Sequence, residues 1–332
     1  MAGGTLAMFF SVLMTLSRIA GHWVQSPSTC TFSESGGSIQ AHCSHLNLSD
    51  VPQNLPDNLI KLDLSYNKIV IITNASFVAY EKIQSLLLQR NALNQIKENS
   101  FELLLDLRVL DLSYNNISRL PDALFHNNVH LSILDLSYNR LIEIPNNALG
   151  SIKALRNISL SHNLITNISF TQFSSCHHLS LLDLTHNKIV HLHNESFATL
   201  RDCSINELNL TDNKLSALPQ ELFSHFHHLK HINLNNTNLL KFDMKAFMGN
   251  YNITQIWIKN ANIYTLQPLT NTGQHADFPS LEAISLQLNK LSQIQSNAFW
   301  GFKNLRFLDL ESNRLVSITN ASFCGLSSLI LT

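Results

Sequence analysis

Charged side chains are scarce in this sequence of 332 residues. Asp, Glu, Lys and Arg make up 14% of it, against about a quarter in typical soluble domains, and the formal net charge is −1. A surface with so few charges must be hydrated by other groups. A membrane-spanning run is also lacking, because the apolar stretch Leu6–Leu16 falls well short of the roughly 20 residues that cross a bilayer.

Motifs of catalysis and metal binding are missing as well. The sequence contains no nucleophile–base constellation, no phosphate-binding P-loop and no Cys/His spacing typical of zinc sites. Two groups of histidines invite a zinc interpretation, but solvated loop residues are the favoured one: His191 with His193, and His225, His227, His228 and His231. We therefore expect no enzyme activity, no cofactor and no metal.

One phrase is repeated along the chain. LRVLDLSYN at 107–115 recurs as LIKLDLSYN at 59–67, LSILDLSYN at 131–139 and LSLLDLTHN at 179–187. Leu or Ile at the first, fourth and sixth places, with Asn at the ninth, is the leucine-rich-repeat signature. Eleven such repeats begin at residues 59, 83, 107, 131, 155, 179, 205, 229, 253, 281 and 305, most of them 24 residues apart.

The spacing within each repeat predicts its structure. Alternate side chains of a strand face the same way, so the apolar residues enter a core and their neighbours face solvent. The predicted fold is a leucine-rich-repeat solenoid, a horseshoe with a parallel β-sheet on its concave face and irregular turns and short helical segments on its convex side. A recurrent Phe is expected to stack as a spine near that side: Phe77, Phe101, Phe125, Phe173, Phe197, Phe223, Phe247, Phe299 and Phe323.

The Asn at the ninth place of each phrase lies where the chain turns inward. Its side-chain amide can bind backbone groups that the turn leaves without partners. The eighth and ninth repeats carry Thr237 and Ala261 instead, and the ninth has an insertion around Thr272–Pro279. Two interpretations stay open. The departures are neutral sequence variation, with water or Asn260 and Asn262 binding the backbone groups of the turn, or they change the curvature of the solenoid to serve a ligand or partner. The predicted asparagine ladder is Asn67, Asn91, Asn115, Asn139, Asn163, Asn187, Asn213, Asn289 and Asn313.

Several features predict passage through the secretory pathway. Residues 1–21 look like a signal peptide, with a short apolar run followed by small residues. In an oxidising compartment Cys30 and Cys43 would pair and close a hairpin over the first coil, which is worth about 3 kcal/mol for a loop of that length. For Cys176 two interpretations stay open, a buried thiol or a disulfide to Cys203 across adjacent coils.

The domain boundaries follow from these segments. We expect a signal peptide at 1–21, an N-terminal cysteine cap at 22–58, eleven repeats at 59–328 and the start of a truncated twelfth repeat at 329–332. Because a solenoid that stops there exposes its core, the chain is interpreted as a fragment or truncated product of a longer protein.

Glycans would supply the hydration that the charges do not. Three sequons, at Asn157, Asn209 and Asn235, fall at outward-facing strand places, so glycans there would crowd the concave face and leave an edge of the horseshoe for a large ligand. Several sequons are expected to be unused. The ten predicted glycosylation sites are Asn47, Asn74, Asn116, Asn157, Asn167, Asn194, Asn209, Asn235, Asn252 and Asn320.

Histidine is abundant, with 16 residues whose full protonation would carry the formal charge from −1 to about +15. Free histidine titrates near pH ~6.5, so an acidified compartment would shift the charge in that direction. Two interpretations stay open. Either the surface becomes cationic in acid and captures a polyanion such as RNA, or His replaces Gln and Asn as a neutral polar residue.

The sequence pattern as a whole resembles that of a Toll-like receptor ectodomain. The resemblance rests on the leader, the cap sequence HCSHLNLSDVPQNLP at 42–56 and the LDLSYN coils with their row of Phe. The cap's Cys-Ser-His-Leu before Val-Pro, and the loss of ladder Asn in the eighth and ninth coils, are similar to the double-stranded-RNA-sensing branch and its fish-type relatives. In that branch protonated histidines on the N-terminal edge hold RNA phosphate.

The resemblance implies ligand-binding roles for three residues. His45 matches the cap histidine of that branch, while Tyr66 and Tyr114 stand at two other matching places. Tyrosine can hydrogen-bond a phosphate but cannot gain charge. A glycan at Asn116 would lie beside Tyr114 and is a further argument against simple pH-gated RNA binding.

The function that the resemblance implies is that of a ligand-binding ectodomain fragment of an innate immune pattern-recognition receptor. It would bind a microbial ligand, with a nucleic acid as the favoured class and double-stranded RNA as one candidate, and form a receptor homodimer when full length. Membrane attachment is expected only through a missing C-terminal segment, with the ectodomain outside the cell or in the endosomal lumen. The alternatives are a secreted or matrix leucine-rich-repeat protein for protein–protein interaction or adhesion, and a soluble decoy receptor.

Overall fold

The computed structural model describes residues 29–35, 37–170, 176–267, 278–319 and 321–330. Within these ranges the chain forms a solenoid of about eleven turns around a parallel β-sheet, so the predicted leucine-rich-repeat horseshoe is confirmed. The leader, Phe173, the insertion around Gly273 and the sequon Asn320 lie outside the described residues.

Each coil contributes a short strand because only a few residues per repeat follow the alternating apolar pattern. The described strands, in chain order, are β1 (Thr31–Ser35), β2 (Ser38–His42), β3 (Leu59–Asp63), β4 (Ile71–Ile72), β5 (Ser85–Leu87), β6 (Gln95–Ile96), β7 (Val109–Asp111), β8 (Ile133–Asp135), β9 (Asn157–Ser159), β10 (Leu181–Asp183), β11 (Glu207–Asn209), β12 (His231–Asn233), β13 (Lys241–Asp243), β14 (Gln255–Trp257), β15 (Thr265–Gln267), β16 (Ala283–Ser285), β17 (Gln293–Ile294), β18 (Phe307–Asp309) and β19 (Ser317–Ile318).

The strands form one long sheet and three small ones. The long sheet runs in the order β1-β2-β3-β5-β7-β8-β9-β10-β11-β12-β14-β16-β18, with β1 and β2 antiparallel and every later neighbour parallel. Its register pairs equivalent apolar residues of successive coils, such as Leu110 with Leu134 and Leu134 with Ile158. The pairs β4–β6, β13–β15 and β17–β19 follow the turns of neighbouring coils.

The described helices are short and lie between the strands. Helix α1 spans Asn146–Leu149, and 3-10 helices span Asn74–Phe77, Asn194–Asp202 and Met244–Phe247. In the part of the chain that the structure describes, none is long and apolar enough to cross a membrane.

Buried phenylalanines run through the interior beside the leucines. Phe77, Phe101 and Phe125 stack with ring centroids 5.9 and 6.0 Å apart. In the fifth coil it is Phe170 that packs against Phe197, at 6.3 Å. Phe170 lies three residues before the predicted spine residue Phe173, which is outside the described residues, so the prediction for Phe173 stays untested.

The asparagines bind successive coils to one another through their buried amides. In the third coil Asn115 Nδ2 donates to the carbonyls of Leu112 in its own coil and Leu88 in the preceding one, both at 3.0 Å. Its Oδ1 accepts from Leu93 N of the preceding coil, also at 3.0 Å. The same pattern recurs at every one of the nine ladder asparagines.

The two coils without a ladder Asn are connected differently. Thr237 Oγ1 donates only to the Leu234 carbonyl of its own coil, at 2.9 Å. At Ala261 the partner comes from the next coil, where Asn289 Oδ1 accepts from both Ala261 N and Ile263 N at 3.0 Å. Asn260 does not fill in, since its amide instead donates to Asn236 Oδ1.

Disulfides close the first coil and join two later ones. Cys30 and Cys43 are bonded, and the hairpin β1–β2 between them pairs with the first repeat strand β3. Cys43 is fully buried, so the hairpin covers the end of the apolar core. Cys176 and Cys203 are bonded across the fifth and sixth coils.

We expect the ladder to stabilise the fold unevenly along the chain. Asn139→Ala removes three donated bonds and the acceptor of Ile117 N, leaving buried backbone groups unpaired, so the free energy of unfolding should fall by about 2 to 4 kcal/mol. Thr237→Ala removes one bond and should cost about 1 kcal/mol. Urea unfolding measures both, and equal losses would contradict an uneven ladder.

Candidate functional site

The residue just before each ladder position has an unusual backbone conformation. Its φ lies between 52° and 57° in all eleven coils, in the left-handed region, although none of these residues is glycine. Such a conformation costs of order 1 to 3 kcal/mol per residue outside glycine, and Asn, Asp and His tolerate it best. The residues are Tyr66, Arg90, Tyr114, Tyr138, His162, His186, Asp212, Asn236, Asn260, Leu288 and Ser312.

The first six of these side chains, from Tyr66 to His186, stack on one another at the edge of the sheet. The stack begins in the cap, where His45 lies on Tyr66 with ring centroids 4.2 Å apart. The Arg90 guanidinium then lies between two rings, 5.3 Å from the Tyr66 centroid and 3.9 Å from that of Tyr114. Cation–π contacts of this kind hold the arginine in line with the tyrosines.

The stack continues through the fourth to sixth coils. Tyr114 and Tyr138 are 3.9 Å apart, Tyr138 and His162 are 3.8 Å apart, and His162 and His186 are 4.0 Å apart. It ends where His186 Nε2 lies 3.2 Å from Asp212 Oδ2, a pair that is ionic when the imidazole is protonated. We call this set the edge column: His45, Tyr66, Arg90, Tyr114, Tyr138, His162, His186 and Asp212.

The edge column presents hydrogen-bond donors to solvent. Its ring faces are used in stacking, whereas Tyr66, Tyr114 and Tyr138 keep 45, 37 and 39% of their surface exposed. Phenol hydroxyls, imidazole N–H groups and a guanidinium are all donors, and the guanidinium is charged at any pH. The column can therefore bind a ligand rich in anionic acceptors.

A second set of cations lies beside the column. Two residues after a column member, in the same turn, stand four exposed basic side chains, which we call the basic row: Lys68, Arg140, Lys188 and Lys214. Asp212 is the one acidic residue in the column and the row together. This edge is therefore cationic on a chain whose formal net charge is −1.

Two pKa shifts show how closely the column members interact. A hydrogen bond with the Tyr114 side chain raises the pKa of Tyr138, and burial adds to the effect while Arg90 opposes it. Burial lowers the pKa of His162, and the neighbouring His186 lowers it further, against the opposing charges of Asp183 and Asp212. His162 is thus held neutral more strongly than a free histidine.

The concave face has the opposite character. Asp63, Asp111, Asp135 and Asp183 form a row along it, and each carboxylate accepts a backbone N–H two residues on, at 2.8 to 3.0 Å. Burial raises the pKa of Asp111, and its neighbours Asp135 and Asp63 add to the effect against bonds from Ser113. An acidic row repels a polyanion, so the edge is the better surface for one.

The three ligand-binding residues predicted from the sequence all lie in the edge column. The structure adds Arg90, Tyr138, His162 and His186, which sequence reasoning missed. Their position in the repeat could have identified them from the sequence, because each immediately precedes a ladder Asn. Among the described residues no group of three or more His, Cys, Asp or Glu is placed to hold a metal ion.

Nine of the ten predicted glycosylation sites lie in the described part of the chain. Those at Asn116, Asn209 and Asn235 are half-buried. Asn116 lies two residues after Tyr114, at the place where the basic row has a cation in other coils. The exposed ones are Asn47, Asn74, Asn157, Asn167, Asn194 and Asn252.

Comparison with known proteins agrees with the repeat architecture. A family model described as "Leucine rich repeat" matches residues 81–141, 105–165, 153–202, 203–263 and 270–315, well over half of the chain. Among curated proteins, the chain is 28% identical to Toll-like receptor 3 of Bos taurus over 139 residues, which are 40% of this chain and 15% of the receptor. It is 31% identical to leucine-rich repeat-containing G-protein coupled receptor 5 of Rattus norvegicus over 129 residues, 39% of this chain and 14% of that protein.

A solved structure extends the similarity over most of the fold. The crystal structure of a TLR13–ssRNA13 complex superposes with a TM-score of 0.75 and 27% identity, covering 82% of this chain and 38% of that one. The predicted similarity to a leucine-rich-repeat ectodomain of Toll-like type is confirmed. The chain spans only a small part of the curated relatives that it matches.

The coupling within the column can be tested by titration. Tyr114→Phe removes the hydrogen bond and the neighbouring charge that raise the pKa of Tyr138, so Tyr138 should ionise at lower pH. Ring-labelled tyrosine NMR measures this shift directly. Tyr251→Phe, at an exposed tyrosine outside the column, is the control and should leave Tyr138 unchanged. An unmoved Tyr138 in the Tyr114 variant would contradict the coupling.

Proposed function

The chain belongs to the leucine-rich repeat family, and on that premise we propose that it is the ligand-binding part of a Toll-like pattern-recognition receptor. The ligand is a microbial nucleic acid, double-stranded RNA in the first place, and it binds along the edge column. The full-length receptor forms a homodimer around the ligand and is anchored in a membrane by a segment outside this chain. Its ectodomain lies outside the cell or in the endosomal lumen, with which the disulfides are consistent.

One observation supports this function above all, namely the unbroken stack of donors from the cap to the sixth coil beside a basic row. Nucleic acids offer phosphates at regular intervals, and phosphate contacts supply most of the sequence-independent affinity of their protein partners. A column whose stacked rings follow one another at 3.8 to 4.2 Å suits such a ligand because its donors repeat along one line. The similar solved structure is a complex with an RNA, which is consistent with this ligand class.

The four column residues nearest the cysteine cap, which we call the cap end, each have a role that their chemistry allows: His45, Tyr66, Arg90 and Tyr114. His45 is exposed, and when protonated it adds a charge at the start of the column. The hydroxyls of Tyr66 and Tyr114 donate to phosphate oxygens, and Arg90 between them supplies the permanent charge. This division explains how two tyrosines serve at places where the related branch has histidines.

A second candidate function is protein binding by the concave face. Trp257 and Phe307 lie there with ring centroids 6.0 Å apart, and Phe307 keeps 48% of its surface exposed. Exposed aromatic residues on a concave surface are typical anchors for a protein partner. A secreted or matrix protein for adhesion, or a decoy, would use this face and leave the edge column free.

The charge at Arg90 gives the sharpest test of RNA binding. Arg90→Gln should weaken binding of double-stranded RNA about tenfold or more at about pH 5.5, and it should reduce the salt slope by about one. Arg201→Gln is the matched control, because Arg201 is an exposed arginine in the 3-10 helix Asn194–Asp202 and not at a repeat position of the column or the basic row. Fluorescence anisotropy at several salt concentrations measures both. Equal affinities of the two variants would contradict the edge column as the RNA site.

The cap histidine is tested separately. His45→Ala removes the first ring of the stack and an imidazole that contributes a charge when protonated, so RNA retention should fall more at about pH 5.5 than at about pH 7.5. Column retention assays at the two pH values measure this. Equal retention by the parent and His45→Ala at the lower pH would remove His45 from the site.

A further inference from the structure

We propose a second phosphate subsite on the same edge, in the fourth to sixth coils, formed by Tyr138, Arg140, His162, His186 and Lys188. It is separate from the cap end, where His45, Tyr66, Arg90 and Tyr114 lie. The identity of its natural ligand rests on the proposed function, because the phosphate belongs to the same nucleic acid. The subsite itself is an anion site that can be tested without RNA.

The donors of this subsite are brought together by the fold. Tyr138, His162 and His186 stack at 3.8 and 4.0 Å in three successive coils. Arg140 and Lys188 follow Tyr138 and His186 by two residues, on the same turns, and both are exposed. A hydroxyl, two imidazoles and two permanent cations therefore lie on three successive coils of the edge.

The charges around His162 determine the pH range in which the subsite binds an anion. Tyr138 and His186 flank its ring, Asp183 contributes from strand β10, Asp212 lies beyond His186, and Arg140 and Lys188 stand in the adjacent turns. Two charged imidazoles stacked at 4.0 Å would repel each other. His186 lies 3.2 Å from the Asp212 carboxylate, whereas burial and the neighbouring His186 lower the pKa of His162.

A bound phosphate would change that balance. Its negative charge favours the imidazolium of His162, so the pKa of His162 is higher in the complex than in the free protein and binding takes up a proton. A group whose pKa is raised by the ligand strengthens binding as the pH falls. Each unit of that rise strengthens binding up to tenfold once the pH lies below both values. The pH dependence of anion binding therefore involves His162 in the fifth coil as well as His45 in the cap.

The distance between the two subsites selects an extended ligand. Arg90 and His162 are three coils apart and are joined through successive contacts of 3.9, 3.9 and 3.8 Å. A single phosphate reaches one subsite, whereas a polyanion that runs along the edge reaches both. The two subsites together should therefore favour long chains over short ones through effective concentration.

The first experiment uses long-chain polyphosphate and protein with 15N-labelled histidine rings. Ring NMR over a pH titration measures the pKa of His162 with and without the polyanion, and an upward shift is expected. His126, an exposed histidine outside the column, should shift much less. A pKa of His162 that polyphosphate leaves unchanged would overturn the subsite, whatever the chain does with RNA.

The second experiment compares three Asn variants, since Asn adopts the same left-handed conformation at Asn236 and Asn260. His162→Asn should lose most of the gain in double-stranded RNA affinity between about pH 7.5 and about pH 5.5, a loss of roughly threefold to tenfold at the lower pH. His45→Asn should keep the part of the pH-dependent rise in RNA affinity that comes from His162. His126→Asn should show the same pH-dependent rise in RNA affinity as the parent.

The two proposals fail in different ways. If polyphosphate shifts His162 but RNA does not bind, the subsite stands as an anion site and the proposed nucleic-acid function falls. If RNA binds and its pH dependence is the same with His162→Asn as with His126→Asn, the subsite falls and the proposed function stands.

Discussion

The hydrogen bonds of the buried asparagine amides hold this fold together. Each coil turns sharply after a strand of about three residues, and the turn leaves backbone groups that no strand partner can reach. A ladder Asn such as Asn115 satisfies groups of its own coil and of the preceding one, so it fixes the turn and the distance between coils at once. The leucine core adds burial energy but does not by itself define this register.

The edge column is a consequence of that register. The turns keep one geometry along the chain: the residue before the ladder position adopts the left-handed conformation in all eleven coils, including the two that carry Thr237 and Ala261 there, and the first six of these side chains lie one above the other. Stacking and cation–π contacts then make a continuous surface from residues that are about 24 apart in sequence. The column ends where aromatic and cationic residues give way to Asp212, and beyond it Asn260 bonds Asn236 instead.

The sequence predicted the fold well because one short sequence motif specifies each coil and is repeated along the chain. It also identified His45, Tyr66 and Tyr114, through a family resemblance. It did not predict that Arg90 lies between two tyrosines, or that Tyr138, His162 and His186 continue the stack, because side-chain direction depends on a turn conformation that alternation in a strand does not describe. The Phe170 packing in the fifth coil and the partner of Ala261 were missed for a similar reason, since both depend on contacts between coils.

Hydroxyl-radical footprinting of the chain with double-stranded RNA would test the central claim that the edge column, and not the concave face, is the ligand-binding surface. Tyr66, Tyr114 and Tyr138 are exposed on the edge, while Trp257 and Phe307 lie on the concave face. We predict that RNA protects the three tyrosines from oxidation and leaves the two concave residues reactive. Protection of Trp257 and Phe307 with unchanged tyrosines would contradict the claim.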